Sequence, residues 1–283
     1  MKKYLMIFVV MFSLSTHAVQ YSRSDSLLVV RLLTGSRAKH FKSPSDCVLY
    51  FGRQLVGVPY VASTLEVNKK EQLIINLRQL DCTTFVENVI ALSLCHQNGK
   101  NDFAYFCDMI KKIRYKGGKE VSYVNRLHYF TGWIEDNSKL GICKVVDTPN
   151  PPFCGIQTVM VDYMSTHRSA YPMLKSNLSN QRGIRAMEKA LSGKKYRYIP
   201  KSKINNSKLL RSAIHDGDII AILTNKKGLD TQHIGIAVWH KDGLHLLNAS
   251  SIHHKVIEEP MLLSTYLAKR KTMTGIRIVR LIG

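Results

Sequence analysis

Residues 81–92 read DCTTFVENVIAL and place a cysteine at the start of an apolar helix. Asp81 is the predicted N-cap, which puts Cys82 in the first turn. The apolar side chains that follow predict that the rest of the helix is buried. Backbone N–H groups and the positive end of the helix dipole favour a thiolate there, so we expect Cys82 to be more acidic than an ordinary cysteine. The same pattern also fits a small cysteine packed in a core.

A nucleophilic cysteine needs a base and a group that orients the base. His233 begins the alternating run HIGIAVWH, and Asn248 lies in the next run, LHLLN. If Asp242-Gly243 forms a two-residue turn, Asn248 lies opposite Ala237 and shares a face with His233, whereas His245 lies on the other face. That register leaves Asn248 about 13 Å along the strand from His233. A bulge, a strong twist or a longer loop must close this gap.

Helical patterns dominate the first part of the chain and short β-rich runs the last part. This order predicts an α+β fold. The helical patterns cover 24–38, 43–55, a stretch from about 81, a stretch ending near 113, 122–137 and 180–193. The extended or β-rich runs are QLIINLRQL, DGDIIAIL, HIGIAVWH, LHLLNASS, HKVIEE and GIRIVRL.

The first 18 residues, MKKYLMIFVVMFSLSTHA, have the composition of a secretory signal peptide. Lys2 and Lys3 form a basic n-region, Tyr4–Leu14 is apolar, and Ala18 is a small residue suited to cleavage. The apolar run is short for a membrane span, although an uncleaved anchor is the alternative. We therefore expect an exported protein, periplasmic or secreted, without stable membrane insertion after cleavage.

The chain of 283 residues carries 41 Lys and Arg against 20 Asp and Glu, a formal net charge of +21. Such a charge favours an anionic partner, for example a nucleic acid, a membrane surface or an acidic wall polymer. Export and the lack of any recognisable nucleic-acid motif argue against a nucleic acid. A component of the cell envelope is the partner that we expect.

Six cysteines follow the predicted cleavage site. If Cys82 stays free, five remain, so at least one more is unpaired. Cys143 with Cys154 and Cys95 with Cys107 are conceivable disulfides. The spacings are not those of a zinc site, and we expect neither a metal nor a cofactor.

The order DCTTFV, HIGIAV, LLNASS resembles the NlpC-type papain-like cysteine hydrolases, which cut cell-wall peptidoglycan. LVGVPYV at 55–61 resembles the Gly-x-Pro-Tyr segment before their nucleophile, and HDGDIIAI at 215–222 resembles the strand before their histidine. NRLHYFTGWIEDN at 125–137, together with DCTTFVE, resembles one branch first catalogued as a domain of unknown function. Members of that branch are N-acetylmuramoyl-L-alanine amidases. The resemblance covers most of residues 45–282.

The resemblance implies a papain-like α+β fold in which the nucleophile helix packs on a small antiparallel sheet, with extra helices. A single catalytic domain would then occupy residues 19–283 and include an N-terminal helical extension.

Matched position by position, the resemblance implies that Cys82 is the nucleophile, His233 the base, Asn248 the third polar residue and Tyr60 a contributor to the oxyanion hole. Four residues are candidates for holding the muramyl sugar or the stem peptide, although each also fits simple helix packing or a solvated face: Arg126, His128, Tyr129 and Trp133.

Two departures from the common family pattern bear on specificity. Thr83 and Thr84 follow the cysteine in place of Ser-Gly, and Gln232 stands where a Ser or Thr often precedes the histidine. These changes favour the amidase branch, which cuts the amide between N-acetylmuramic acid and L-alanine in peptidoglycan or muramyl peptides. A γ-D-glutamyl endopeptidase of the stem peptide and a non-catalytic basic wall-binding module are the alternatives.

Overall fold

Helices fill most of the first half of the chain, and an antiparallel sheet fills most of the second. The computed structural model describes residues 19–283, so the predicted signal peptide at 1–18 lies outside the described residues. Within 19–283, no helix is long and apolar enough to cross a membrane. The helices are α1 (Arg23–Ser36), α2 (Pro44–Gln54), α3 (Cys82–Gln97), α4 (Phe103–Arg114), α5 (Phe130–Lys139), α6 (Tyr163–Thr166), α7 (Pro172–Lys175), α8 (Leu178–Leu191), α9 (Lys208–Ala213) and α10 (Leu263–Ala268).

The main sheet has the strand order β4-β5-β10-β6-β7-β8-β9, with β3 also paired to β10. Every neighbouring pair in it is antiparallel, which confirms the predicted α+β fold. A separate two-stranded parallel ladder joins β1 to β2. The strands are β1 (Val19–Gln20), β2 (Leu73–Ile74), β3 (Cys143–Val146), β4 (Gly155–Thr158), β5 (Lys195–Pro200), β6 (Ile219–Thr224), β7 (Thr231–Trp239), β8 (Leu244–Ser250), β9 (Lys255–Glu258) and β10 (Met273–Leu281).

Apolar side chains cover both faces of this sheet. Alternate residues of a strand point to opposite faces, so Ala221 and Ile236 join the core formed with α1–α5, while Ile222 and Ala237 join the core beneath α9 and α10. Because both faces of the sheet are buried, the β-rich runs of the sequence are nearly continuous apolar stretches.

Helix α3 is the central helix of the first core. Its apolar side chains face all directions, as is typical of a helix surrounded by protein. It contacts α1, α2 and α4 on its flanks and β7 and β8 of the sheet. The N-terminal end of α3 is thereby fixed beside β7, the strand that carries His233.

A buried ion pair fixes α3 relative to α4. Arg114 Nε donates to Glu87 Oε2 at 2.7 Å, and Arg114 Nη1 donates to the Ile74 carbonyl at 2.7 Å. Both charged side chains are almost fully buried, so each needs the other. Arg114, at the end of α4, therefore links α3 to both α4 and β2.

The helix predicted over 122–137 begins only at Phe130. The preceding segment pairs with the end of α4: Tyr115 and Arg126 form an isolated bridge, and Leu127 N donates to the Arg114 carbonyl at 2.9 Å. These long-range backbone bonds hold the first half of the segment in turns.

Candidate catalytic site

Cys82 is the first residue of α3 and lies, partly exposed, in the wall of a cavity of about 190 Å³. Asp81 is the N-cap, as predicted. Its Oδ1 accepts from Thr84 N at 2.7 Å, and Asp81 N donates to Thr84 Oγ1 at 2.9 Å. This reciprocal capping box fixes the backbone around the sulfur.

The expectation of an acidic Cys82 is wrong for the free protein. Burial, with Asp81 adding to it, raises the pKa of the Cys82 thiol to about 12, and the hydrogen bonds from Ile234 N–H and Thr83 offset only part of this. The physical reason is that the sulfur lies in a site with little water, and the helix start also brings the Asp81 carboxylate beside it. Cys82 is therefore a neutral thiol at neutral pH.

His233 is held by a side chain from the neighbouring strand. Its Nε2 lies 2.9 Å from Asn248 Oδ1, and Asn248 Nδ2 donates to the Leu246 carbonyl at 3.2 Å. Because that carbonyl can only accept, the amide is oriented with its oxygen toward the imidazole. Nε2 must then carry the proton, which leaves the Nδ1 lone pair free to act as a base.

The imidazole of His233 is neutral at neutral pH. Burial lowers the pKa of His233 below its usual 6.5, and Arg270 lowers it further, while the hydrogen bond to Asn248 acts in the opposite direction. A neutral thiol and a neutral imidazole therefore line the same cavity in the free protein.

The β7–β8 hairpin differs from the two-residue turn expected from the sequence. Trp239 pairs with Leu244 and Ile236 pairs with Leu247, so the connection is the four-residue loop 240–243. The longer loop shifts the register by two residues and brings Asn248 about 7 Å closer to His233 along the strand. The same face parity is kept, because the shift is even.

His245 lies on the other face of β8, away from His233. Its Nδ1 donates to the Glu259 carbonyl at 2.9 Å, and its Nε2 lies 3.2 Å from Asp242 Oδ1. His245 therefore secures the end of the hairpin instead of orienting His233.

Tyr60 lies on the segment between α2 and α3, close to Cys82. Tyr60 N donates to the His254 carbonyl at 3.0 Å, and Val61 N donates to the Leu80 carbonyl at 3.1 Å, so the backbone is fixed on both sides. Burial, followed by the nearby Cys82 and Asp81, raises the pKa of the Tyr60 phenol. Tyr60 thus keeps its proton and is available as a donor near the sulfur.

Two of the four residues predicted to hold substrate, His128 and Tyr129, line the cavity. His128 Nε2 donates to the Tyr123 carbonyl at 2.7 Å, and burial followed by Arg126 holds the pKa of His128 well below its usual value. The Tyr129 hydroxyl is already bonded, because it donates to Glu188 at 2.7 Å. His128 is therefore the side chain of this pair with a free polar atom, Nδ1.

The other two residues, Arg126 and Trp133, do not line the cavity. Trp133 is 0% exposed and stacks on Phe130 in the core. Arg126 is 4% exposed, forms an ion pair with Glu66, and lies 3.5 Å from Glu71 Oε1. Both side chains support the cavity wall from behind and are inaccessible to a substrate.

The sequence patterns did not single out several residues that line the cavity, and Asp230 is the most informative of them. Its Oδ2 accepts from Thr131 N at 2.7 Å and its Oδ1 accepts from Thr231 N at 2.8 Å. Asp230 thereby joins the start of α5 to the start of β7, just before His233. The remaining lining residues are Thr83, Phe130, Met164, Tyr171, Leu229, Thr231, Gln232 and Ile234.

All six cysteines among residues 19–283 are free thiols. Neither Cys143 with Cys154 nor Cys95 with Cys107 forms a disulfide. Between residues 19 and 283, no cluster of three or more His, Cys, Asp or Glu is arranged to hold a metal ion.

Comparison with known proteins gives the family. The model of the AmiA-like family, described as N-acetylmuramoyl-L-alanine amidase-like, matches residues 50–276. The chain belongs to this family. It is therefore an amidase-like hydrolase with a peptidoglycan-related substrate, and a family that acts on the cell wall agrees with export.

Solved structures agree with the assignment. An N-acetylmuramoyl-L-alanine amidase from Bacteroides uniformis is 38% identical, with a TM-score of 0.79 over 85% of this chain and 99% of that chain. A Bacteroides fragilis protein, provisionally described as a xylanase, is 43% identical, with a TM-score of 0.76 over 82% and 99%. A Legionella pneumophila protein at 22% identity shares the fold, with a TM-score of 0.70 over 92% and 95%. No curated protein matches the chain.

Proposed function

We propose that this protein is a papain-like cysteine hydrolase that cuts the amide between N-acetylmuramic acid and L-alanine in peptidoglycan or muramyl peptides. The observation that carries the proposal is a single cavity lined by Cys82, at the start of a helix, and by His233, which Asn248 orients. A thiol, an imidazole with a free Nδ1 and an amide that fixes the tautomer are the groups that acyl transfer through a thioester requires.

The first half of the reaction forms a thioester. Nδ1 of His233 accepts the Cys82 proton as the sulfur attacks the lactyl carbonyl, and Asn248 Oδ1 stabilises the imidazolium through Nε2–H. The Cys82 backbone N–H lies at the start of α3 and has no acceptor within the helix, so it can bind the developing oxyanion together with the Tyr60 hydroxyl. Because the thiol and the imidazole are both neutral at the start, the oxyanion and the imidazolium arise only as the sulfur–carbon bond forms.

The second half releases the products. The imidazolium of His233 gives its proton to the leaving nitrogen of L-alanine, the C–N bond breaks, and the peptide departs. A water molecule then loses a proton to Nδ1 and attacks the thioester, which frees N-acetylmuramic acid and returns the proton to Cys82.

Cleavage of a sugar bond, as a xylanase performs, does not fit this cavity. Glycosidases use two carboxyl groups separated by roughly 5 to 9.5 Å. Asp230 is the sole carboxylate among the described residues that line the cavity, and each of its oxygens already accepts a backbone N–H. The amidase reaction is therefore the better match.

Product analysis tests the reaction directly. Incubation with a defined muramyl tripeptide should release N-acetylmuramic acid and a peptide that begins with L-alanine, as read by mass spectrometry. An endopeptidase would instead leave L-alanyl-D-glutamate on the sugar. Intact substrate, with wall binding that persists after Cys82→Ala, would contradict the proposal and favour a binding module.

The pH dependence of turnover follows from the neutral pair. Protonated His233 cannot take the Cys82 proton, so kcat/KM should rise with pH as the imidazole loses its proton. The midpoint should fall below 6.5, because burial lowers the pKa of His233. Iodoacetamide should alkylate Cys82 slowly at neutral pH and faster in alkaline buffer. Rapid alkylation in mild acid would indicate a preformed thiolate–imidazolium pair and contradict this mechanism.

A further inference from the structure

A fixed cation, Arg270, lies near His233 and acts on its imidazole. Arg270 follows α10, and its guanidinium carbon lies 3.5 Å from the ring centroid of Tyr266. Arg270 Nη1 donates to the Tyr266 carbonyl at 2.7 Å, and the Tyr266 ring stacks on the imidazole of His233 with 6.4 Å between the ring centroids. Within residues 19–283, Arg270 has no carboxylate partner, so the rest of its guanidinium is free to bind a ligand.

Gln232 presents an oriented amide donor and is bonded to Thr272, two residues after Arg270. Its Oε1 accepts from Thr224 Oγ1 at 3.0 Å and from Thr272 Oγ1 at 2.8 Å. Thr224 Oγ1 itself accepts from Lys226 N at 3.1 Å and still has its own proton to donate to Gln232. With the oxygen held on that side, the Nε2 hydrogens of Gln232 are left for a group in the cavity, which Gln232 lines.

We propose that Arg270 and Gln232 form a subsite that binds a free carboxylate of the leaving peptide, one residue beyond the cleaved amide. This inference rests on the proposed function, because it requires the peptide to leave on the His233 side. His233 must protonate the leaving nitrogen, so the peptide has to lie next to it, where Arg270 and Gln232 are.

The chemistry of the stem peptide supplies such a carboxylate. L-Alanine is followed by D-glutamate linked through its γ-carboxyl group, which leaves the α-carboxylate free. That group lies roughly 6 Å from the leaving nitrogen, at the bond lengths of a peptide. A guanidinium and an amide N–H together match the two oxygens of a carboxylate. Lys269 and Lys271 flank Arg270 in the sequence and add to the local positive charge.

A bound carboxylate would also adjust the base. Burial lowers the pKa of His233 in the free protein and Arg270 lowers it further, while the hydrogen bond to Asn248 and the carboxylates of Asp81 and Glu259 act in the opposite direction. An anion on Arg270 offsets that repulsion, so the imidazolium that forms during attack is stabilised when a peptide with a free α-carboxylate is present. Recognition and proton transfer are thereby coupled.

The test compares two substrates that differ in one group: N-acetylmuramoyl-L-alanyl-D-glutamate and its α-carboxamide, D-isoglutamine. The parent protein should prefer the carboxylate by about 10- to 100-fold in kcat/KM, the range for a charge-assisted hydrogen bond. Arg270→Gln should reduce that preference to about 2-fold or less, read as the ratio of kcat/KM for the two substrates within the variant.

Arg211→Gln is the matched control. Arg211 also lies over an aromatic ring, with its guanidinium carbon 4.3 Å from the Trp239 ring centroid. Its Nη2 donates to the backbone carbonyl of His240 at 2.7 Å. It lies on the opposite end of β7 from His233, so its loss should leave the substrate preference unchanged. Equal turnover of both substrates by the parent, or an unchanged preference in Arg270→Gln, would overturn the subsite while the proposed function stands.

If neither substrate is cut, the proposed function is contradicted. A binding experiment then tests the subsite independently of the reaction. The peptides L-alanyl-D-glutamate and L-alanyl-D-isoglutamine are then titrated calorimetrically into the parent and Arg270→Gln. Tighter binding of the free carboxylate that is lost in the variant supports the subsite. Equal affinities in the parent reject it.

Discussion

Replacing Cys82 with alanine should lower kcat for a muramyl peptide by about 10⁴-fold or more, because a thioester needs a thiol and Cys82 is the sole cysteine among the described residues that line the cavity. Alanine is a good helix former at this first helical position, and the Asp81–Thr84 capping box does not involve the sulfur. The variant should therefore stay folded and still bind the peptide. Single-turnover mass spectrometry and a thermal unfolding curve measure the two properties separately.

Cys154→Ala is the control for Cys82→Ala, since Cys154 is an exposed free thiol outside the residues that line the cavity. It should retain the parent's kcat and lose one site of rapid alkylation. Turnover by Cys82→Ala at a substantial fraction of the parent's rate would show that the nucleophile is another group. Loss of activity only in Cys154→Ala would move the reaction away from this cavity altogether.

Local patterns predicted the elements that hold the site. Asp81 and the apolar run after it predicted the start and the burial of α3, since capping and helical periodicity are properties of neighbouring residues. Alternation likewise predicted β7 and β8, including the shared face of His233 and Asn248. An even register shift leaves that parity unchanged, so the argument from faces held although the predicted turn was two residues too short.

Properties that depend on distant parts of the chain could not be predicted in the same way. Arg126 looked available for a substrate, but Glu66 and Glu71 come from another loop and bind it. The helix-start rule for Cys82 counts the favourable backbone dipole, but desolvation by the surrounding fold outweighs it. The position of Arg270 over Tyr266, beside His233, is also visible only once α10 has packed against the sheet.

Asn248→Ala should lower kcat by about 10² to 10³-fold with a smaller change in KM. The substitution removes the acceptor 2.9 Å from His233 Nε2, so the imidazole loses the hydrogen bond that keeps the proton on Nε2 and the lone pair on Nδ1. Asn248 is fully buried, so the freed Nε2–H has no ready access to water. The acid limb of the pH–rate profile should move to lower pH, because that hydrogen bond favours the charged imidazole.

Asn248→His tests the role of the acceptor itself. An imidazole at this position also offers a nitrogen lone pair to Nε2–H, so part of the lost turnover should return. A purely structural role for Asn248 would give no such recovery, since histidine is larger than asparagine and would overpack the buried site. Steady-state kinetics on one muramyl peptide compare the two variants with the parent.

His245→Ala completes the comparison. His245 is buried and bonded to the Glu259 carbonyl and to Asp242, so its removal should lower the melting temperature while kcat stays within a few-fold of the parent. Kinetics below the unfolding transition distinguish stability from catalysis. If His245→Ala were the crippling change and Asn248→Ala silent, the third residue would be wrongly assigned. The Cys82–His233 pair would then need its tautomer fixed by another acceptor, for which the carboxylates of Asp81 and Glu259, which both act on His233, are the candidates.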